Sequence, residues 1–127
     1  MVDERRKYKR VPGRLRITYK IVEEAIEGSA YSIDVSAGGF CIGMDQRIKN
    51  DTLIELLVYL PDNEKSFTCT ARVSWQKMHG IKDKDEKIFY ETGLRFEQLD
   101  LKNRLRLIYY VHGKTRKINT RYEKPAS

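Results

Sequence analysis

Ser66-Phe67-Thr68-Cys69-Thr70-Ala71-Arg72-Val73-Ser74-Trp75-Gln76 alternates from end to end. Phe67, Cys69, Ala71, Val73 and Trp75 fall on one side; Ser66, Thr68, Thr70, Arg72, Ser74 and Gln76 fall on the other. Successive side chains leave a pleated strand on opposite faces, so a period of two predicts a strand with one face in a core. The same pattern extends outward in both directions. Arg14 to Val22 places Leu15, Ile17, Tyr19 and Ile21 opposite Arg14, Arg16, Thr18 and Lys20. Leu53 to Leu60 points Ile54, Leu56, Val58 and Leu60 one way. Shorter strands are expected at Ala30 to Val35 and Phe40 to Met44, and a further one at Ile88 to Phe96. Between them, Glu23 to Gly28 and the charged His79 to Lys87 read as loops, and Pro61-Asp62-Asn63-Glu64 as a turn. Short strands joined by turns at this spacing predict an antiparallel barrel or sandwich.

The period changes after Asp100, a candidate N-cap. Leu101, Leu105, Ile108 and His112 follow at helical spacing and are expected to pack on the core, with Gly113 as the end or an interruption of the helix. The basic, polar residues beyond it read as a tail. The resulting division is a flexible basic arm over 1–13, a barrel plus helix over 14–113, and a basic tail over 114–127.

Length and composition fit one domain. The chain has 127 residues, 40% hydrophobic and 34% charged, with eight tyrosines, four phenylalanines and a tryptophan, which is not a disordered composition. Its apolar runs are too short to span a bilayer. Met1 to Arg6 has no apolar segment of the kind a secretory signal needs, so a cytoplasmic location is expected. Cys41 and Cys69 lie in strand patterns and read as buried free thiols; His79 and His112 form no metal-ligand set with them. No nucleophile–base pair and no phosphate-loop fingerprint is visible, so neither an enzyme nor a metal cofactor is expected.

The net charge of +7 is uneven. Residues 1–20 hold eight basic and two acidic residues, residues 21–111 twelve and fifteen, and residues 112–127 five and one. Basic ends on a slightly acidic body point to an anionic partner or to solvated tails.

Two stretches could bind such a partner. Arg5-Arg6-Lys7-Tyr8-Lys9-Arg10 contains Arg-x-x-x-Arg, from Arg6 to Arg10. The planar guanidinium fork suits phosphate and the O6/N7 edge of guanine, and it stacks on base faces. Asp34-Val35-Ser36-Ala37-Gly38-Gly39 sits at a strand-to-strand corner. It reads equally as a tight turn whose glycines supply positive φ, or as a site where Asp34 accepts from guanine, Ser36 donates, and the glycines admit a ligand to the backbone. Each stretch alone leaves both readings open.

Their order, with the strand between them and strands and a helix after, resembles the PilZ family over roughly residues 5 to 110. Ala71-Arg72-Val73-Ser74-Trp75 and Gly93-Leu94-Arg95-Phe96 are similar to it as well. The resemblance implies a six-stranded antiparallel β-barrel with a C-terminal α-helix, and a receptor for the bacterial second messenger cyclic di-GMP rather than an enzyme. It assigns Arg6 and Arg10 to phosphate and guanine, Asp34 and Ser36 to a guanine edge, and Gly38 and Gly39 to the corner. Members of the family bind one ligand molecule or an intercalated pair, and Arg5 is similar to the arginine of those that bind the pair. A conformational change would then signal to a downstream protein in motility, exopolysaccharide or biofilm control, from a chain expected to be a monomer. A small nucleic-acid-binding barrel, or a PilZ-like interaction module without ligand, are the alternatives.

Overall fold

The computed structural model describes residues 8–62, 64–79 and 88–122, the side chains of 115–122 excepted. Seven strands precede one helix: β1 (Val11–Pro12), β2 (Arg16–Ile21), β3 (Ile26–Val35), β4 (Gly39–Met44), β5 (Leu53–Tyr59), β6 (Phe67–His79), β7 (Phe89–Gln98) and α1 (Leu101–Tyr122). Six of the strands are neighbours in the order β3-β2-β5-β6-β7-β4, all antiparallel, and β4 pairs back onto β3. The sheet is therefore a closed barrel, which leaves none of these six strands as an open edge.

The seventh strand, β1, lies on β3 with Val11 opposite Val35 and Pro12 opposite Asp34. Ser32 stitches the gap between β1 and β2: its hydroxyl accepts from the Leu15 N–H at 2.7 Å and donates to the Gly13 carbonyl. Val11 is buried. One such valine contributes about 1.5–3 kcal/mol, whereas ordering each backbone residue costs about 1–2 kcal/mol. Val11 alone does not hold the six residues Tyr8 to Gly13 on the barrel. Within the described part of the basic segment, Val11 and Pro12 pair with β3 and Tyr8 packs against the core cluster, so further contacts than that of Val11 bear on the site.

The core follows the alternation. Ile17 and Ile21 of β2, Ile42 of β4, Ile54 and Val58 of β5, and Ala71 and Val73 of β6 are fully enclosed. Cys41 and Cys69 are buried free thiols. Burial pushes both up to about 12, with Glu91 adding to the effect at Cys41.

Several expectations need correction. The alternation of β6 stops at Val73, because the register against β7 shifts between Val73 and Trp75. A bulge inserts one residue and reverses which side follows. Trp75 therefore faces outward, 37% exposed. Gln76 turns in, donating to the Gln46 carbonyl (3.1 Å) and Thr92 Oγ1 (3.0 Å) and accepting from the Ile48 N–H (2.7 Å).

The expected inward stripe of α1 is its outward face. Leu101, Leu105, Ile108 and His112 are exposed, while Leu107 and Val111 are buried. Polar anchors set the rotation of the helix: Arg106 grips Asp62 through two bonds of 2.8 and 2.9 Å, and Arg104 donates to the Ala37 carbonyl. The helix begins where expected, with the Asp100 carbonyl accepting from the Arg104 N–H, but it runs through Gly113 to Tyr122.

The loop at Glu23 to Gly28 is shorter than expected. Val22–Glu24 form a 3-10 turn, Ala25 adopts φ 53°, and β3 starts at once at Ile26. Similarly, β6 continues to His79, where the sequence suggested a loop.

Candidate ligand-binding site

The Ser36–Gly39 corner is built by the serine hydroxyl. Ser36 Oγ accepts from the N–H groups of Gly38 and Gly39, each at 3.1 Å, and donates to the Gly39 carbonyl at 3.1 Å. The Ser36 N–H bonds the same carbonyl at 3.0 Å, and the Gly38 carbonyl accepts from the Phe96 N–H at 3.0 Å. Ser36 thus spends its one hydrogen inside the turn, where it shapes the corner. The glycines are not there for positive φ, which no described glycine adopts. They are there for close approach. A Cβ at Gly39 would fall 1.9 Å from the Leu94 carbonyl oxygen, and one at Gly38 would fall 3.0 Å from the Tyr8 ring.

The corner opens on a depression of about 850 Å³, the size of a nucleotide site, lined by Arg10, Ser36, Gly38 and Gly39 together with Trp75 and Arg95. Arg10 is exposed and makes no ion pair among the described residues. Arg95 is held at the rim by Asp51 and by Ser74 Oγ at 3.3 Å, and its guanidinium pulls the Asp51 carboxyl below the usual range. Arg104 closes the far side over Tyr8.

Asp34 lies just outside this lining, on β3 between Pro12 and Cys41. Asp34 and Arg10 act in opposite directions on the buried Cys41 thiol, after burial itself and Glu91, and neither Cys41 nor Asp34 lines the depression. Arg5 and Arg6 lie outside the described residues.

Trp75 is a lining side chain that the sequence hid, because its alternation placed it inside. Cys41, Gly93 and Trp75 are successive partners across β4, β7 and β6. A Cβ at Gly93 would fall 2.2 Å from Trp75 Nε1, so the indole lies across the glycine, beside the corner. The missing signal was Gly93 itself: a glycine inside a strand pattern marks a close approach.

A larger depression, about 960 Å³, covers the outer face of β2, β5 and β6. It suits an anion poorly. Its lysine, Lys20, is paired across the sheet with Glu27 and Glu55, and it contains no arginine. A third, of about 870 Å³, sets Arg47 and Lys49 beside Glu23 and Glu24, whereas the depression at the corner has Arg10, Arg95 and Arg104 and no carboxylate in its lining, so chemistry favours the corner. No group of three or more metal-ligating side chains occurs among the described residues, and no helix there is long and apolar enough to cross a membrane.

These features define a small closed β-barrel with a lateral pocket under a serine–glycine corner, faced by arginines. The PilZ domain model matches residues 4–113, and the chain belongs to the PilZ family. The structure of Bacillus subtilis inhibitor of motility, MotI/DgrA, aligns at TM-score 0.68 and 22% identity over 94% of this chain and 54% of its own. The PilZ domain of Escherichia coli YcgR with c-di-GMP aligns at TM-score 0.70 and 14% identity, over 96% of this chain and all of its own. The K. pneumonia MrkH–c-di-GMP complex aligns at TM-score 0.70 and 14% identity, over 94% and 57%. The chain thus spans little more than half the length of MotI and MrkH. No curated protein sequence matches it.

Proposed function

We propose that this chain is a cyclic di-GMP receptor whose ligand lies against the Ser36–Gly39 corner, between Arg10 and Trp75. One observation carries the reading: an exposed arginine of an Arg-x-x-x-Arg pair and the serine–glycine corner, 26 residues apart in sequence at Arg10 and Ser36, line one nucleotide-sized depression on a PilZ barrel. Two solved PilZ-containing neighbours of this fold hold c-di-GMP. Arg6 and Arg10 supply fork-shaped cations for phosphate and guanine, whether the site takes one ligand or an intercalated pair, and Arg5 adds a third cation where a pair is bound. Asp34 accepts from the guanine N1 and N2 donors. Gly38 and Gly39 let the ligand approach the backbone, on a corner whose shape Ser36 holds. The ligand, held between the basic segment and the corner, changes the surface shown to a downstream protein.

A micromolar constant corresponds to about −8 kcal/mol. Two or three charge-assisted bonds at about 1.5–3 kcal/mol each and stacking at about 1–3 kcal/mol per base reach that figure before ordering costs. Isothermal titration with cyclic di-GMP tests the proposal, beside Arg10→Ala and a GTP control. Binding is expected for the wild type, with at least tenfold loss in Arg10→Ala and none of it reproduced by GTP. Stoichiometry near two would assign Arg5 to a ligand pair. No heat at micromolar concentrations would overturn the receptor reading. A steep fall of affinity with salt would indicate a polyphosphate partner instead.

A further inference from the structure

Tyr8 stands between the two arginines of the motif, and its ring is gripped from two sides. One edge rests on the corner, where a Cβ at Gly38 would lie 3.0 Å from Tyr8 Cδ2. Over its face sits the Arg104 guanidinium, with Cζ 5.3 Å from the ring centroid. That same guanidinium donates to the Ala37 carbonyl, so one side chain of α1 ties the corner to the tyrosine. Of the three residues Tyr8 to Arg10, only Tyr8 is partly buried, and it packs on the core cluster.

The helix meets the segment again at its other end. A Cβ at Gly13 would fall 2.7 Å from Tyr110 Oη. Residues 104 and 110 are about 9 Å apart along a helix. Helix α1 therefore braces the segment at Tyr8 and at Gly13, with Arg10 in between.

We propose that Tyr8, clamped between Gly38 and Arg104, is the positioning residue that presents Arg10 to the ligand. This rests on the receptor reading above. A long arginine on a loose segment must be ordered at the moment of binding, and that cost is subtracted from affinity. A segment already pinned two residues away has less to lose. The clamp uses the edge and the face of the ring, which phenylalanine also provides.

The test is calorimetric titration of the full chain with cyclic di-GMP for wild type, Tyr8→Phe, Tyr8→Ala, Arg104→Ala and the Tyr8→Ala/Arg104→Ala pair. Thermal melting and amide exchange of residues 10–13 without ligand accompany it. Tyr8→Phe should bind within threefold of wild type. Tyr8→Ala should bind at least tenfold more weakly at unchanged stoichiometry and well below its melting temperature. Arg104→Ala should also weaken binding, and the double variant should be no more than threefold worse than the weaker single one, since both remove the same clamp. Unliganded exchange at residues 10–13 should rise in Tyr8→Ala and not in Tyr8→Phe. Wild-type affinity in Tyr8→Ala, even with a lowered melting temperature, would overturn the proposal, leaving Tyr8 as packing only. So would multiplying losses in the double variant, or a neutral Arg104→Ala. No heat from the wild type would instead remove the receptor reading, and this role with it.

Discussion

Gly39 lies so close to Leu94 that a β-carbon at the glycine would fall 1.9 Å from the leucine's carbonyl oxygen. The two residues sit on paired strands, β4 and β7, at the point where the serine–glycine corner enters the barrel. The obstacle is backbone, so no side chain can swing aside. Gly39→Ala should cost about 1–3 kcal/mol, near the top of that overpacking range, and should loosen the corner. Gly113 is the contrast. Nothing lies within 4 Å of its added Cβ, and it sits inside α1. Gly113→Ala should stabilise by about 0.5–1 kcal/mol, as expected for alanine in a helix interior. Urea unfolding of the two variants beside wild type checks both signs.

Gln76 is half-buried and uses both its amide hydrogens and its side-chain oxygen. Its removal strands the Ile48 N–H and the Gln46 carbonyl, and it takes a partner from the completely buried Thr92. A buried group left unpaired costs about 1–3 kcal/mol, and these bonds are only part-buried, so the low end applies. Gln76→Leu, although more hydrophobic, should therefore destabilise the barrel by about 1 kcal/mol, measured by urea unfolding at unchanged m-value. Equal stability would mean that these groups find other partners.

That glutamine also shows where the sequence stopped being legible. The alternation of Phe67 to Val73 specified strand and face, because a two-residue period is local information. The bulge at Ser74 is decided across the sheet, by how β7 fits against β6 around Gly93, and nothing within β6 announces it. The helix was legible as a helix but not in its rotation. Leu101, Leu105 and Ile108 form a good apolar stripe, yet the buried positions are Leu107 and Val111. Arg104 and Arg106 fix the rotation by reaching Ala37 and Asp62, contacts that are 67 and 44 residues distant. The corner's residues were visible in order, whereas its geometry was not. The glycines answer to Leu94 and Tyr8 rather than to a positive φ.

Trp75, the chain's single tryptophan, is a built-in reporter for the site. Its indole lies across Gly93 at the edge of the depression. In Gly93→Ala the ring must lift, because Nε1 stands 2.2 Å from the added carbon. Emission should shift to longer wavelength as the ring meets water, at nearly native melting temperature if only the ring moves. In the wild type, a ligand seated on the corner should change Trp75 emission with the same midpoint as the calorimetric titration. A saturating ligand that leaves the emission untouched would place the nucleotide away from Trp75.

Arg106 and Asp62 give the barrel an acid-sensitive tie between α1 and the turn after β5. The bidentate bond to Arg106 holds the Asp62 carboxyl below the ordinary carboxylate range. A group whose folded value is depressed stabilises the fold above its unfolded pKa, about 3.9, and loses that contribution as pH falls through the folded value. Arg106 is 12% exposed but Asp62 is 35% exposed, so solvent screens the pair. Its worth is accordingly set at about 1 kcal/mol, the upper end for exposed pairs, in view of the bidentate geometry. Asp62→Asn should therefore be about 1 kcal/mol less stable than wild type at pH 7. The gap should narrow below about pH 4 and close once Asp62 is protonated in both states of the wild type. Urea unfolding of both proteins from pH 2.5 to pH 7 reads this directly. A gap that stays constant across that range would show that the two proteins differ in packing rather than in the charge on Asp62.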